Sequence, residues 1–212
     1  MTGRPPVVPA DAPDVAVRVA EALRHGGVVV LPTDTVYGVA ALPGDEDAIL
    51  RLFHLKGRHT DVPLAVLCAT TRQALALADV RAVAAVAEVT ARWWPGPLTL
   101  VLHRRPGLEL HLGEPPTTVG LRVPDHPLVH AVASLVGPLA TTSANRHGEP
   151  TATTAEEAIE ALGEGLALVV DGGPLEGASS TVVDASCSPW RVLRSGPIAD
   201  ADVLRDDPHG SG

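Results

Sequence analysis

The strand-like apolar runs of this chain are all short. Residues 28–31, 64–68, 98–103, 118–123, 138–142, 166–170, 181–184 and 191–194 each give four to six residues before Pro, Gly or a polar cluster interrupts. Between them lie segments with apolar residues at helical spacing: 14–25 (Val15, Val19, Ala22, Leu23), 45–55 (Ile49, Leu52, Phe53), 71–94 as one or two Ala-rich helices, and 126–136. Thr154 with Glu157 fits a capping box that opens a further helix ending at Leu162. Short strands interleaved with helices, with 20 Gly and 20 Pro as breaks, indicate a single α/β or α+β domain built on a twisted mixed sheet flanked by helices. The domain is expected over 14–198. Residues 1–13 read as a flexible N-terminal arm rich in Pro and small residues, and 199–212 as an acidic, Gly/Pro-containing disordered tail.

Composition limits what such a domain can do. Aromatics are only 2% of the 212 residues, so Ala, Val and Leu must fill the core and the elements must pack closely. The two cysteines, Cys68 and Cys187, make no disulfide framework, and Cys68 sits in an apolar run as a small core residue. No charged-then-apolar leader pattern and no membrane-length apolar run occurs, so a cytoplasmic protein without membrane contact is expected. The formal net charge of −9 argues against RNA binding as the main activity and requires any positive potential to be local.

The familiar nucleotide and nucleophile motifs are absent: there is no G-x-x-x-x-G-K-[ST], no G-x-G-x-x-G after a strand and no G-x-S-x-G. The nine histidines show no metal-ligand rhythm, so no metal site made of protein side chains is expected. What remains is a polar cluster at the end of each apolar run, where ligands sit in open α/β sheets. Thr33, Asp34, Thr35 and Tyr37 leave the first strand together, either as a self-satisfying turn or as a ligand loop. Lys56 and Arg58 flank Gly57 at a helix end, where cations either complement the helix dipole or hold phosphate. Strand alternation puts Thr118, Gly120 and Arg122 on one face, and an arginine in an apolar strand needs an anion, supplied by an internal carboxylate or by a ligand. Further clusters run from Ala140 to Asn145 and on to Thr154, from Gly177 to Asp184, and from Arg191 to Gly196. Four cations (Lys56, Arg58, Arg122, Arg194) with many hydroxyls and little acid suit a polyanion such as a nucleoside triphosphate, together with a small zwitterion or carboxylate.

Taken in order, PTDTVYG, KGR with PLAVL, WWPGPLTLVL, TVGLRVPDH, TTSANRHGEPT, DGG followed by SSTVVD, and LRSG resemble the threonylcarbamoyl-adenylate synthases of the YrdC-like fold, over nearly the whole chain. The resemblance implies a twisted mixed sheet around a concave cationic pocket. It also implies a nucleotidyltransferase that joins L-threonine, bicarbonate or carbon dioxide, and ATP into threonylcarbamoyl-AMP and pyrophosphate, with Mg²⁺ on the phosphates. Partner proteins then transfer the threonylcarbamoyl group to an adenosine of tRNA, with at most a weak RNA contact by this chain. Carried over residue by residue, the resemblance puts Lys56 and Arg58 on the ATP phosphates as the catalytic cations. Thr118, Asn145, Thr153 and Arg194 fall on the nucleotide side, and Thr35, Arg122, Ser143 and Ser180 on the threonine side. Thr33 and Tyr37 complete the pocket.

Two positions depart from the pattern. Many members carry Asn where this chain has Val62, and His where it has Leu67. Those positions touch ATP and threonine respectively, so a polar contact is lost on each side. That loss is either compensated or the mark of a paralogue that binds nucleotide or RNA without synthase activity. Two further readings carry less: a carbamoyl-transfer domain of hydrogenase maturation proteins wants a longer chain with zinc-finger cysteines, and a non-catalytic module leaves the strand arginines without anions. The chain also ends too early for the separate C-terminal domain that some synthases carry.

Overall fold

The computed structural model describes residues 3–114 and 117–208. Among these residues ten strands form one sheet in the order β1-β8-β2-β3-β7-β4-β6-β5-β9-β10. They are β1 (Val7–Pro9), β2 (Val29–Leu31), β3 (Gly38–Ala41), β4 (Ala65–Leu67), β5 (Leu98–His103), β6 (Thr118–Arg122), β7 (Leu139–Ser143), β8 (Leu168–Asp171), β9 (Thr181–Asp184) and β10 (Arg191–Arg194). The sheet is mixed: β1–β8, β8–β2, β4–β6 and β5–β9 pair parallel, and the other neighbours pair antiparallel. Helices α1 (Val15–Arg24) and α6 (Pro127–Val136) cover one face; α2 (Glu46–Lys56), α7 (Ala155–Leu162) and the short α3 (Thr71–Leu75), α4 (Val80–Ala85) and α5 (Ala87–Trp93) cover the other.

The short central strands are apolar on both sides because both sides are buried. On β2, Val29 and Leu31 join the α1/α6 core, while Val30 and the preceding Val28 face the α2/α7 core. Antiparallel β2–β3 pairing runs Leu31 to Gly38, which turns Pro32–Tyr37 into the loop of a hairpin. The sequence reading passes over β3 because Gly38-Val39-Ala40-Ala41 has little β propensity of its own. Its partners β2 and β7 decide it.

Both expected termini need correction over their described residues. Within the arm, Val7–Pro9 is a parallel edge strand on β8 with Val8 buried, and its prolines are tolerated because an edge strand has one unpaired side. Within the tail, Asp200–Leu204 is α8: Val203 is fully buried, Asp206 pairs with Arg92 at 3.1 Å, and Asp207 accepts from the Trp190 amide at 2.9 Å. One apolar residue and two carboxylates in an acidic segment anchor it. Residues 1–2 and 209–212 of those two expectations lie outside the described residues. Val203→Ala is expected to cost about 2 kcal/mol and to lower Tm by about 4–8 °C in a calorimetric scan. A frayed tail would leave Tm unchanged.

Candidate functional site

The ends of the central strands open into a cavity of about 340 Å³. The hairpin loop before β3 forms one wall. Thr33 is its internal brace: its Oγ1 accepts from the amides of Thr35 and Val36, both at 3.2 Å, and donates to Val36 O at 2.7 Å. Since that proton is committed, Thr35 Oγ1 donates to Thr33 Oγ1 (3.1 Å) and accepts from Arg122 Nη1 at 2.9 Å. The turn reading thus holds for Thr33, whereas Thr35 is aimed at the arginine.

Strand alternation on β6 brings Thr118, Gly120 and Arg122 together along the cavity. Arg122 is 5% exposed and heavily committed: Nε donates to Gly96 O at 3.0 Å, and Nη2 pairs with Asp34 at 2.6 Å. Its internal carboxylate is therefore Asp34. With Thr35 taking one Nη1 hydrogen, two of the five guanidinium hydrogens, one on each terminal nitrogen, have no partner among the described residues, and a second carboxylate can accept them.

Two more arginines complete the ring. α2 ends at Gly57 in the left-handed region (φ +57°), which turns the chain so that Arg58 lies across β7. Arg58 donates to Thr142 Oγ1 at 3.0 Å and to Pro63 O at 3.2 Å, while its buried Nε has no partner among the described residues. Arg194 on β10 donates to Ser180 O and Ser180 Oγ, both at 3.0 Å, and Ser180 Oγ also meets Thr99 Oγ1 at 2.9 Å. Neither Arg58 nor Arg194 takes part in an ion pair among the described residues. Three arginines face one cavity, and no carboxylate among the described residues lines it.

Of the residues expected at the site, Thr33, Thr35, Arg58, Thr118, Arg122, Ser143, Ser180 and Arg194 line this cavity. The other four do not. Lys56 lies behind the wall and is 2% exposed; its ammonium donates to Ser143 O at 2.6 Å, to Asn145 Oδ1 at 3.1 Å and to Asn145 O. Burial first, then the charge of Arg58, pulls its pKa down to about 8. Asn145 uses its amide to hold the next turn, through Arg146 O and Glu149 O, and accepts from Ser143 Oγ at 2.5 Å. Tyr37 is fully buried and ties loops together. Thr153 sits at the start of α7 against Glu157, in a separate groove, because the capping geometry of that helix claims it.

Sequence reasoning also missed lining residues. Thr99 lies outside every polar cluster noted in the sequence, whereas Thr141, Thr142 and Ser179 lie within such clusters without having been singled out; all four line the cavity, as do both departures from the family pattern, Val62 and Leu67. A hydroxyl inside an otherwise apolar strand, as in Leu98-Thr99-Leu100, was the available signal for Thr99. Among the described residues no three His, Cys, Asp or Glu converge as a metal site, and no helix is long and apolar enough to cross a membrane.

A family model for Sua5, YciO and YrdC, described as "Telomere recombination", matches residues 21–196. A putative threonylcarbamoyl-AMP synthase of Mycobacterium tuberculosis is 40% identical over 190 residues, covering 88% of this chain and 87% of that protein. The crystal structure of P. abyssi Sua5 complexed with L-threonine superposes with a TM-score of 0.82 at 32% identity, over 96% of this chain. This chain spans only 61% of that longer protein. The crystal structure of E. coli YciO is covered completely, with a TM-score of 0.81 at 25% identity over 96% of this chain. The chain belongs to the Sua5/YciO/YrdC family.

Proposed function

We propose that this chain is a threonylcarbamoyl-AMP synthase, which makes threonylcarbamoyl-AMP and pyrophosphate from L-threonine, carbon dioxide or bicarbonate, and ATP. The observation that carries the reading is the cavity ringed by Arg58, Arg122 and Arg194 without a lining carboxylate among the described residues. Such a site is completed by anions. The names of its relatives and the L-threonine in the P. abyssi Sua5 complex support the choice of anions.

Threonine would bind by its carboxylate to the two remaining hydrogens of Arg122, with the hydroxyls of Thr35, Ser143 and Ser180 beside it. The threonine nitrogen attacks the carbon of carbon dioxide and loses a proton, giving a carbamate. A carbamate oxygen then attacks the α-phosphorus of ATP, and the bond to the bridging oxygen of pyrophosphate breaks. No enzyme nucleophile is required, so the chain would act by alignment and by offsetting charge on the leaving pyrophosphate. Arg58 and Arg194 would take the phosphates directly. Lys56 would add charge from behind the wall while fixing the carbonyls of Ser143 and Asn145. Magnesium would arrive on the phosphate oxygens and supply further charge neutralisation. Val62 and Leu67 would contribute apolar contact where a polar one is lost. The product would go to proteins that modify tRNA.

Incubating the purified chain with ATP, bicarbonate and labelled threonine should yield labelled threonylcarbamoyl-AMP and one pyrophosphate per product. Absence of both products with folded protein would sink the reading.

A further inference from the structure

Strand order makes an unusual demand on one connection. β8 is second in the sheet and β9 ninth, with six strands between them, yet only residues 172–180 join the two. The segment has no helix or strand of its own, and it passes as a strap over the Thr33–Tyr37 loop.

The strap is pinned at three places. At its start, Tyr37 Oη donates to Gly173 O at 2.7 Å and accepts from the Gly172 amide at 3.0 Å. In its middle, Gly177 lies directly on the backbone of Thr35, so that a methyl there would overlap the Thr35 carbonyl. No positive φ is involved at Gly177; close approach alone demands glycine. At its end, Ser180 is held by Thr99 and Arg194, while a methyl on Gly196 would come within 2.7 Å of the Ser180 carbonyl carbon. Leu175 N, between the first two pins, donates to Thr153 O at 2.8 Å, which gives Thr153 a place under the strap.

Thr35 and Ser180 both line the same cavity. Residues 172–180 lead from the Tyr37 end of the Thr33–Tyr37 loop to Ser180 without entering the sheet. We propose that Tyr37 and Gly177 are positioning residues: they clamp the strap onto the Thr33–Tyr37 loop and thereby set the spacing of Thr35 and Ser180 around the amino acid. Neither side chain lines the cavity, so neither touches ligand. This inference rests on the proposed threonine site.

The experiment compares the unsubstituted chain with Gly177→Ala and Tyr37→Phe. L-threonine and ATP are titrated separately by calorimetry, and hydrogen exchange of 172–181 is followed without ligand. Tyr37→Phe keeps the buried ring and loses only the two hydroxyl bonds. Its threonine affinity should fall roughly threefold to tenfold, and that of Gly177→Ala about tenfold or more. ATP affinity should stay within about twofold in both, and exchange over the strap should accelerate. A merely structural role would weaken both ligands together. Threonine binding by the unsubstituted chain, with unchanged affinity in the folded variants, overturns this inference alone. No threonine binding by the unsubstituted chain overturns the functional reading and this inference with it. If Gly177→Ala does not fold, Tyr37→Phe decides.

Discussion

Arg122→Ala should lose L-threonine binding by a hundredfold or more, on the order expected for one partner of a buried charge pair, and should lower stability by about 3–5 kcal/mol. Two different anions produce the two effects. The guanidinium is 6% exposed and its internal partner, the Asp34 side chain, is 13% exposed. Removing the arginine leaves Asp34 nearly buried with its counter-charge gone. The double variant Asp34→Asn/Arg122→Ala removes both charges, and should recover most of the stability in a denaturant titration. It should not recover threonine binding in calorimetry, because the ligand's carboxylate still has nothing to meet. If the double variant binds threonine as the unsubstituted chain does, Arg122 serves only its internal carboxylate and the amino-acid site lies elsewhere.

That pair also shows how far the sequence could be read. An arginine in TVGLRV announces a need for an anion, but the strand pattern cannot say which one. The structure supplies Asp34 and leaves room for another. Period-two alternation was enough to place Thr118, Gly120 and Arg122 on one face, since β6 pairs on both sides without a register shift. Arg58 was legible because a glycine after a helix turns the chain in a known way. Lys56 was not. Arg58, two residues on, reaches the cavity, while the Lys56 side chain points back to carbonyls at the end of β7, and only the packing of α2 on β3, the strand paired with β7, fixes that. Thr153 failed for a similar reason, since a helix cap used the same hydroxyl. The strap could not be foreseen at all. Its course over the Thr33–Tyr37 loop follows from strand order, a long-range property that nothing within residues 172–180 encodes.

Lys56→Gln should cut turnover by about a hundredfold, as loss of one preorganised charged donor does, while the chain stays folded. The amide can still donate to one of the three oxygens that the ammonium serves at the Ser143–Asn145 turn. Lys56→Ala offers no donor, leaves those acceptors unmet at about 1–3 kcal/mol for each one that water does not reach, and should lose both turnover and stability. The pH dependence separates charge from architecture. The ammonium keeps its proton below about 8 and loses it as the pH rises through that value, whereas in the unfolded chain it stays protonated to about 10.5. Between the two values the unfolded state binds more protons, so this group's contribution makes stability rise with pH. Its charge, and with it the attraction for phosphates, falls over the same range. ATP affinity of the unsubstituted chain should therefore weaken as the pH goes from about 7 to about 9 while stability does not, and the affinity of Lys56→Gln should be flat there. A folded Lys56→Gln with full turnover would remove Lys56 from the chemistry, and parallel loss of affinity and stability with pH would assign the change to the fold instead.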